Sequence, residues 1–398
     1  MSDPEGAFEG AGRADAAERR ALRVLLVAND GFSAGHVVRT LAIARALRRR
    51  ASHRAVETRL LLATTSEAHA LLASEPIAIV QLPAPAAARR AGFGDLERRR
   101  LVRGALAGIA DAFAPDLLVV DTFPSGPHGE VAGLCVGRAR RALVRRSVPE
   151  PGGGEHTLRD GLEDYDLAVI ADDPVAHGAC LPIRTVRVPP ITIAEAHDAK
   201  SRAAARAELG LPGPDHGGDR IVLVASGGGG DAEAVAKASA IAAAISRVAP
   251  EVTPVLALGP LVRAADGAAV PPTRITTRIT TPLTTRAAPL QPLLAAFDGA
   301  FTPAGYNTAH ELVKAAVPTA LFALPRPYDD QAGRVARFAS AGLAHALVSF
   351  DDDAIAAALS WMSTAPRRSL EAGGADRAAD ALLDLVTLQA GSAAGSAR

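Results

Sequence analysis

Short apolar runs, each ending in a polar or glycine-containing loop and followed by an amphipathic stretch, recur along most of this 398-residue chain. The first, LRVLLVA from Leu22 to Ala28, does not alternate polar with apolar residues, so both of its faces must be covered. A strand inside a parallel sheet, with helices packed on both sides, meets that demand. The loop NDGFSAG comes next. Over 36–50, Val37, Leu41, Ala44 and Leu47 then share one helical face, with arginines crowding the last turns, where they suit the macrodipole. RLLLATT, PIAIVQL, PDLLVVDTF, RALVRR and YDLAVIAD continue as strands, and SEAHALLA and 95–113 as helices.

The character changes after VRVPPIT, where Pro189 and Pro190 forbid further sheet pairing. A helical patch, KSRAAARAELG, precedes the Pro/Gly/His-rich LPGPDHGGD. At Arg220 the alternation restarts with RIVLVASGGGGD, a helix over 232–249, VTPVLAL, FDGAFTPAG, a helix over 306–316, PTALFAL and a helix over 330–341. Two terminal helices are expected over 351–362 and 374–390. The fold class expected is α/β: two Rossmann-like, doubly wound parallel-sheet domains, 21–189 and 190–390, facing across a cleft. Residues 1–20 and 391–398 are expected to be disordered tails.

Lys plus Arg and Asp plus Glu both total 43, which argues against nucleic acid as a partner. Aromatic residues make up 4% and alanine dominates the apolar set, so the core should be aliphatic and helix-rich. Cys135 and Cys180 lack a CxxC or His-rich context, so no metal site, cofactor or disulfide framework is expected. No run approaches the roughly 20 apolar residues needed to span a bilayer. The acidic N-terminus does not read as a secretory signal. A cytoplasmic location follows, with peripheral contact at the inner membrane face left open. The basic run Arg138, Arg140, Arg141, Arg145 and Arg146 reads as a solvated face, or as a contact for an anionic acceptor or lipid headgroup.

Four constellations could carry chemistry. In SAGHVVR, Gly35 allows close backbone approach at a sheet's carboxyl edge, and His36 could act as general base on an acceptor hydroxyl or simply cap the helix; Gly35 and Arg39 would lie on the acceptor side. ASGGGGD places Ser226, Gly227, Gly228 and Gly229 between a strand and a helix, where backbone amides suit a diphosphate, although a plain flexible loop has the same composition. In the segment 301–338, Gly305 opens a helix whose free amides could hold an anion, Thr308 adds a hydroxyl, and Glu311 could accept from ribose hydroxyls. Asp330 and Gln331 follow in a turn and suit sugar hydroxyls, or cap the next helix. Asp121 ends PDLLVVD on the same edge as His36 and could orient its imidazole, or cap a helix. The other histidines, including His128, His177 and His310, read as structural.

The segment AGYNTAHELVKAAVPTALFALPRPYDDQ resembles the donor signature of family 28 glycosyltransferases of the GT-B fold, a Gly-x-x-Thr-x-x-Glu helix followed by a Gln-bearing turn. The best-known member of that family adds N-acetylglucosamine to the lipid-linked peptidoglycan precursor. Together with LLVANDGFSAGHVVRTLAIARAL, PDLLVVDTFPSG and PRPYDDQAGRVARF, it also looks like a bacterial group described only as predicted glycosyltransferases. The resemblance implies a hexosyltransferase that takes a nucleoside-diphosphate sugar, with uridine as the family's nucleoside, and a hydroxyl-bearing acceptor. Transfer would be metal-independent and inverting. Gly305 and the backbone of Tyr306, Asn307 and Thr308 would hold the diphosphate and Glu311 the ribose. Asp330 and Gln331 would read the sugar, the Ser226 to Gly229 loop would assist, and His36 with Asp121 would serve the acceptor. A nucleotide-sugar hydrolase and a non-catalytic sugar-nucleotide-binding subunit stay open beside it.

Overall fold

The computed structural model describes residues 21–29, 34–73, 75–146, 161–172, 181–213, 220–262, 283–285, 289–326 and 329–395. The stretch 30–33, which includes Ser33, and residues His177 and Cys180 lie outside the described residues, as does the 1–20 tail.

The first sheet has seven parallel strands: β1 (Leu22–Ala28), β2 (Thr58–Thr64), β3 (Ala78–Gln81), β4 (Leu117–Asp121), β5 (Arg140–Arg146), β6 (Leu167–Ala171) and β7 (Thr185–Val188). Their order is β3-β2-β1-β4-β5-β6-β7, so the winding reverses between β1 and β4. Strand β1 shows why an unbroken apolar run was needed. Val24, Leu26 and Ala28 enter one buried cluster, with Val37, Leu41 and Leu47 of helix α1 (Gly35–His53). Leu25 and Val27 enter the opposite cluster with Val102 and Leu106, on a helix spanning Asp95–Phe113. Each such side chain contributes on the order of 1.5–3 kcal/mol by leaving water.

The second sheet has six parallel strands in the order β10-β9-β8-β11-β12-β13: β8 (Arg220–Ala225), β9 (Val252–Ala257), β10 (Leu283–Thr285), β11 (Gly299–Pro303), β12 (Thr319–Phe322) and β13 (His345–Ala346). Pro254 sits inside β9, a strand with neighbours on both sides, yet costs no ladder bond toward β10, because that pairing begins at Val255. Here the winding reverses between β8 and β11. Ligands of doubly wound sheets bind outside the carboxyl ends at such reversals. The loop after β8 is Ser226 to Gly229 and the turn after β11 is Ala304–Gly305, so both glycine features flank one switch point.

Two crossings join the halves. The chain leaves the first sheet through Pro189 and Pro190, and it returns before the last helix, Gly374–Gly395. A Cβ on Gly374 would fall 2.3 Å from the Pro189 carbonyl oxygen, so the two crossings lie in backbone contact and admit only glycine there. The buried Glu195 carboxylate ties them together: it accepts from Lys314 Nζ at 2.7 Å and from the amides of Gly373 and Ala375 at 3.1 and 3.3 Å.

The last helix does not cover the second sheet, with which its sequence position groups it. Ala375, Ala378, Ala379, Leu382 and Leu383 are buried against α1 and the first sheet. Arg49, Arg50 and Arg54 pair with Asp376, Asp380 and Asp384 along the rim. Surface pairs of this kind contribute about 0–1 kcal/mol each, so the apolar stripe holds the helix in place. The helix also runs to Gly395, into the segment expected to be a tail.

Candidate functional site at the meeting of three helix and loop ends

Helix α1 starts directly beyond β1, and its first turn faces the end of β4 across the switch point. His36 and Arg39, three residues apart, therefore point the same way, toward Asp121. His36 Nδ1 donates to Asp121 Oδ2 at 2.5 Å. Arg39 closes on the same carboxylate with both arms of its fork, Nε to Oδ1 at 2.6 Å and Nη2 to Oδ2 at 2.7 Å. Burial alone would raise the Asp121 pKa, but the Arg39 charge and the His36 hydrogen bond outweigh it and hold the carboxyl at about 2. The next residue, Thr122, sits at φ +64°, a conformation costly for a β-branched side chain. Its Oγ1 accepts from Arg39 and donates to Asp121.

The His36 side chain is 23% exposed and that of Asp121 only 2%. A ring whose Nδ1 is committed to a carboxylate can exchange a proton through Nε2, the arrangement of a general base with its orienting acid. Phe123 lies beside the ring, with centroids 5.8 Å apart.

From the second half come two further ends. The helix Tyr306–Lys314, here α7, begins after Gly305 with no side-chain cap. By contrast, Asp231, Asp330 and Asp351 each cap a helix of this half with a carboxylate. An uncapped start leaves amide dipoles facing outward, the usual basis for holding an anion. A Cβ placed on Gly305 would meet no atom within 4 Å. The Ser226 to Gly229 loop is the second end. Gly227 takes φ +81°, and a Cβ on Gly259 would strike the Gly227 carbonyl oxygen at 2.1 Å, so the two backbones interlock. A Cβ on Gly228 would lie 3.9 Å from that of Ala34, the residue that opens α1. Asn307 Nδ2 donates to the Gly35 carbonyl at 3.1 Å. The starts of α1 and α7 and the glycine loop thus converge, bringing together His36, Asp121, Gly35, Gly227, Gly228, Gly305, Asn307 and Thr308, with Gly229 on the same loop. Thr308 is half-buried and its hydroxyl has no hydrogen-bond partner among the described residues.

Several residues assigned to ligand contact are otherwise engaged. Arg39 is 3% exposed, with its guanidinium engaged by Asp121. Ser226 is buried; its Oγ accepts from the Gly259 amide at 3.1 Å and fixes the loop. Tyr306 is buried, with its hydroxyl donating across the cleft to the carbonyls of Ala171 and Asp172 at 3.1 Å. Asp330 caps its helix, accepting from the Gly333 amide at 2.8 Å, one of the two roles its sequence position had left open. Gln331 is buried, its Oε1 accepting from the Leu324 amide at 3.0 Å.

Glu311, one turn into α7, is half-buried beside the first crossing. Burial pushes its carboxyl up to about 7, against the opposing pull of the Ile193 amide and of Lys314. His310 is fully buried, its Nδ1 at 2.6 Å from the Tyr306 carbonyl, in keeping with a structural role.

Sequence reasoning passed over a cluster that bridges the halves. Arg146, at the end of β5, pairs with Asp329, which also meets Arg334 at 2.9 Å. Burial raises the Asp329 carboxyl, but the two guanidinium groups prevail and hold it at about 2. Both guanidinium groups stand over the Tyr306 ring, at 5.9 and 5.5 Å. The basic run is therefore not one solvated face: Arg140 pairs with Asp166, Arg145 is buried, and Arg146 is engaged across the cleft. Buried Asn29, just past β1, donates to Glu130 at 3.0 Å on the same rim.

An open groove of about 780 Å³ lies toward the far end of α1, lined by Arg45, Arg49 and Glu75; it is remote from His36. Among the described residues, no helix is long and apolar enough to cross a membrane and no cluster of side chains could hold a metal ion.

No protein-family model matches this sequence, and no curated protein matches it. Solved structures match over nearly the whole chain. The spinosyn rhamnosyltransferase SpnG, complexed with spinosyn aglycone, shares 18% identity over 92% of this chain and 96% of its own, with a TM-score of 0.53. The calicheamicin glycosyltransferase CalG4 shares 14% identity over 93% and 100%, with a TM-score of 0.54. MurG of Acinetobacter baumannii shares 13% over 91% and 99%, with a TM-score of 0.50. The likeness concerns architecture, and it agrees with the two switch points and the cleft between them: the chain has the two-lobed fold of the GT-B glycosyltransferases.

Proposed function

We propose that this protein is a glycosyltransferase that moves a sugar from a nucleoside-diphosphate sugar, with uridine as the nucleoside, to an acceptor hydroxyl, without a metal ion and with inversion. The observation that carries this reading is the contact of the two helix starts: Asn307 of α7 donates to Gly35 beside His36, so an anion at one end faces a base at the other. His36 Nε2 takes the acceptor proton as the acceptor oxygen bonds to the anomeric carbon. The bond from that carbon to the diphosphate oxygen breaks, and the diphosphate leaves with the electron pair. Asp121 stabilises the imidazolium formed, and the amides from Gly305 onward stabilise the departing charge. Glu311 is assigned to the ribose. Attack from the face opposite the leaving group inverts the centre.

The donor helix resembles the family 28 motif, and SpnG, also solved with thymidine diphosphate, makes thymidine the alternative nucleoside. We take the junction between acceptor and donor lobes to lie at Pro189 and Pro190. Cys135, an exposed free thiol, suits the reducing cytoplasm.

Thermal-shift screening of uridine and thymidine diphosphates and their sugar conjugates, followed by diphosphate release with and without hydroxyl acceptors, tests the proposal. A uridine diphosphate sugar should stabilise the protein, release should need an acceptor, and His36→Ala should keep donor binding while losing turnover. Full-rate release of free sugar without acceptor would make the protein a hydrolase. Donor binding without turnover on any acceptor would make it a binding subunit. Either result removes the proposal.

A further inference from the structure

A histidine and a buried carboxylate at 2.5 Å are also the makings of a permanent ion pair. If Asp121 had no other counter-charge, its carboxylate would favour a protonated imidazole beside it, and a protonated ring cannot accept a proton. Arg39 changes this balance. It is 3% exposed, its fork is matched to both carboxylate oxygens, and its Nη2 also donates to Thr122 Oγ1 at 2.6 Å. Thr122 donates in turn to Asp121 at 2.9 Å, closing a ring of hydrogen bonds around the carboxylate.

Helix α1 supplies His36 and Arg39, and β4 supplies Asp121. The end of β5 brings Arg146, whose charge is met by Asp329 from the other lobe. Arg146 and Arg334 together meet the single charge of Asp329, and Arg39 meets that of Asp121, so these groups leave no negative charge over for the imidazole. We infer that Arg39 is a positioning residue that supplies the counter-charge of Asp121, so that His36 stands uncharged between turnovers and ready to take the acceptor proton. This inference rests on His36 being the base.

Arg39→Met and Arg39→Lys test it, through the pH dependence of turnover and through histidine side-chain NMR, with the His36 signal assigned by its loss in His36→Ala. In Arg39→Met, the pH of half-maximal rate on the acid side should rise by about 1–3 pH units, the size of effect a neighbouring charge exerts. Rate should be largely recovered at high pH, and donor affinity should be unchanged. Arg39→Lys, which keeps the charge, should stay near the wild-type profile. In NMR the His36 ring should change charge at correspondingly higher pH in Arg39→Met, with or without substrate.

A uniform loss of rate at every pH, with the acid limb unmoved, would mean that Arg39 only holds the fold. A raised acceptor KM with kcat and the limb unchanged would return it to the acceptor. Arg39→Lys behaving like Arg39→Met would show that charge is not what matters. Each overturns the inference. If Arg39→Met does not fold, Arg39→Gln, which retains donors to Asp121 without the charge, carries the same comparison. A protein that turns over no sugar conjugate fails as a glycosyltransferase, while the NMR titration still decides the role of Arg39.

Discussion

Substituting Gly305 by alanine separates ligand binding from folding more sharply than any other single change in this site. The residue has φ −61° and ψ 142°, a conformation open to any L-residue, and its Cβ would meet nothing within 4 Å. Removing the freedom of glycine in the unfolded chain stabilises by about 0.4–1 kcal/mol. Alanine is the poorer helix N-cap, however, at a cost on the order of 0.5–1.5 kcal/mol. The two offset to within about 1 kcal/mol, a shift of a few degrees at most in Tm for a chain of this size. Binding should respond differently, because the methyl group projects into the space a diphosphate needs in order to reach the amides of α7. Loss of one charge-assisted hydrogen bond, about 1.5–3 kcal/mol, weakens binding roughly ten- to a hundredfold. Thermal melting of the unliganded variant and calorimetric titration with uridine diphosphate read the two quantities separately. A variant that melts like the wild type and binds the nucleotide within a factor of two would refute the placement of the diphosphate at this helix end.

Three further outcomes are expected. Glu311→Gln should gain stability at pH 8 by about 1–3 kcal/mol, because a carboxyl raised from 4.5 to about 7 in the folded state loses stability as pH climbs through that interval. Nucleotide affinity should fall in the same variant if Glu311 holds the ribose, and equal melting curves at pH 5 and pH 8 in the wild type would contradict the sign. Gly259→Ala should lower Tm, since its Cβ would sit 2.1 Å from the Gly227 carbonyl oxygen; unchanged melting would show that the loop yields freely. Peripheral membrane contact is expected on the rim where Phe93, Leu96 and Leu101 are exposed beside Arg100. Sedimentation with anionic vesicles should be lost in Leu96→Ser/Leu101→Ser, and no sedimentation of the wild type would remove the idea.

Much of this architecture was legible because it is encoded locally. The run at Leu22–Ala28, the helix periodicity after it and the glycines at 227–229 and 305 each announce their own conformation. His36 and Asp121 could be paired on paper because one opens the helix that follows β1 and the other ends β4, on the same sheet edge. What stayed hidden depends on distant partners. Asp329 and Asp330 are neighbours with the same side chain, yet one bridges the lobes and the other caps a helix, and only the arrival of Arg146, 183 residues away in sequence, distinguishes them. The burial of Arg39 could not be read from a basic residue on a helix. Strands β10 and β13 are too short to leave an apolar run. The amphipathic stripe of the last helix is plain, but nothing in a stripe says which surface it will cover.

That last helix has a practical consequence. The unit that folds around the first sheet is discontinuous in sequence, being made of the leading half together with the closing segment after Gly373. A fragment ending at the proline pair would expose the apolar flank of α1 and should self-associate, whereas one that splices the closing helix back on should stay monomeric. The double strap should also limit how the molecule can breathe: two adjacent crossings fastened by one carboxylate are expected to bend together about a shared line and to resist swivelling.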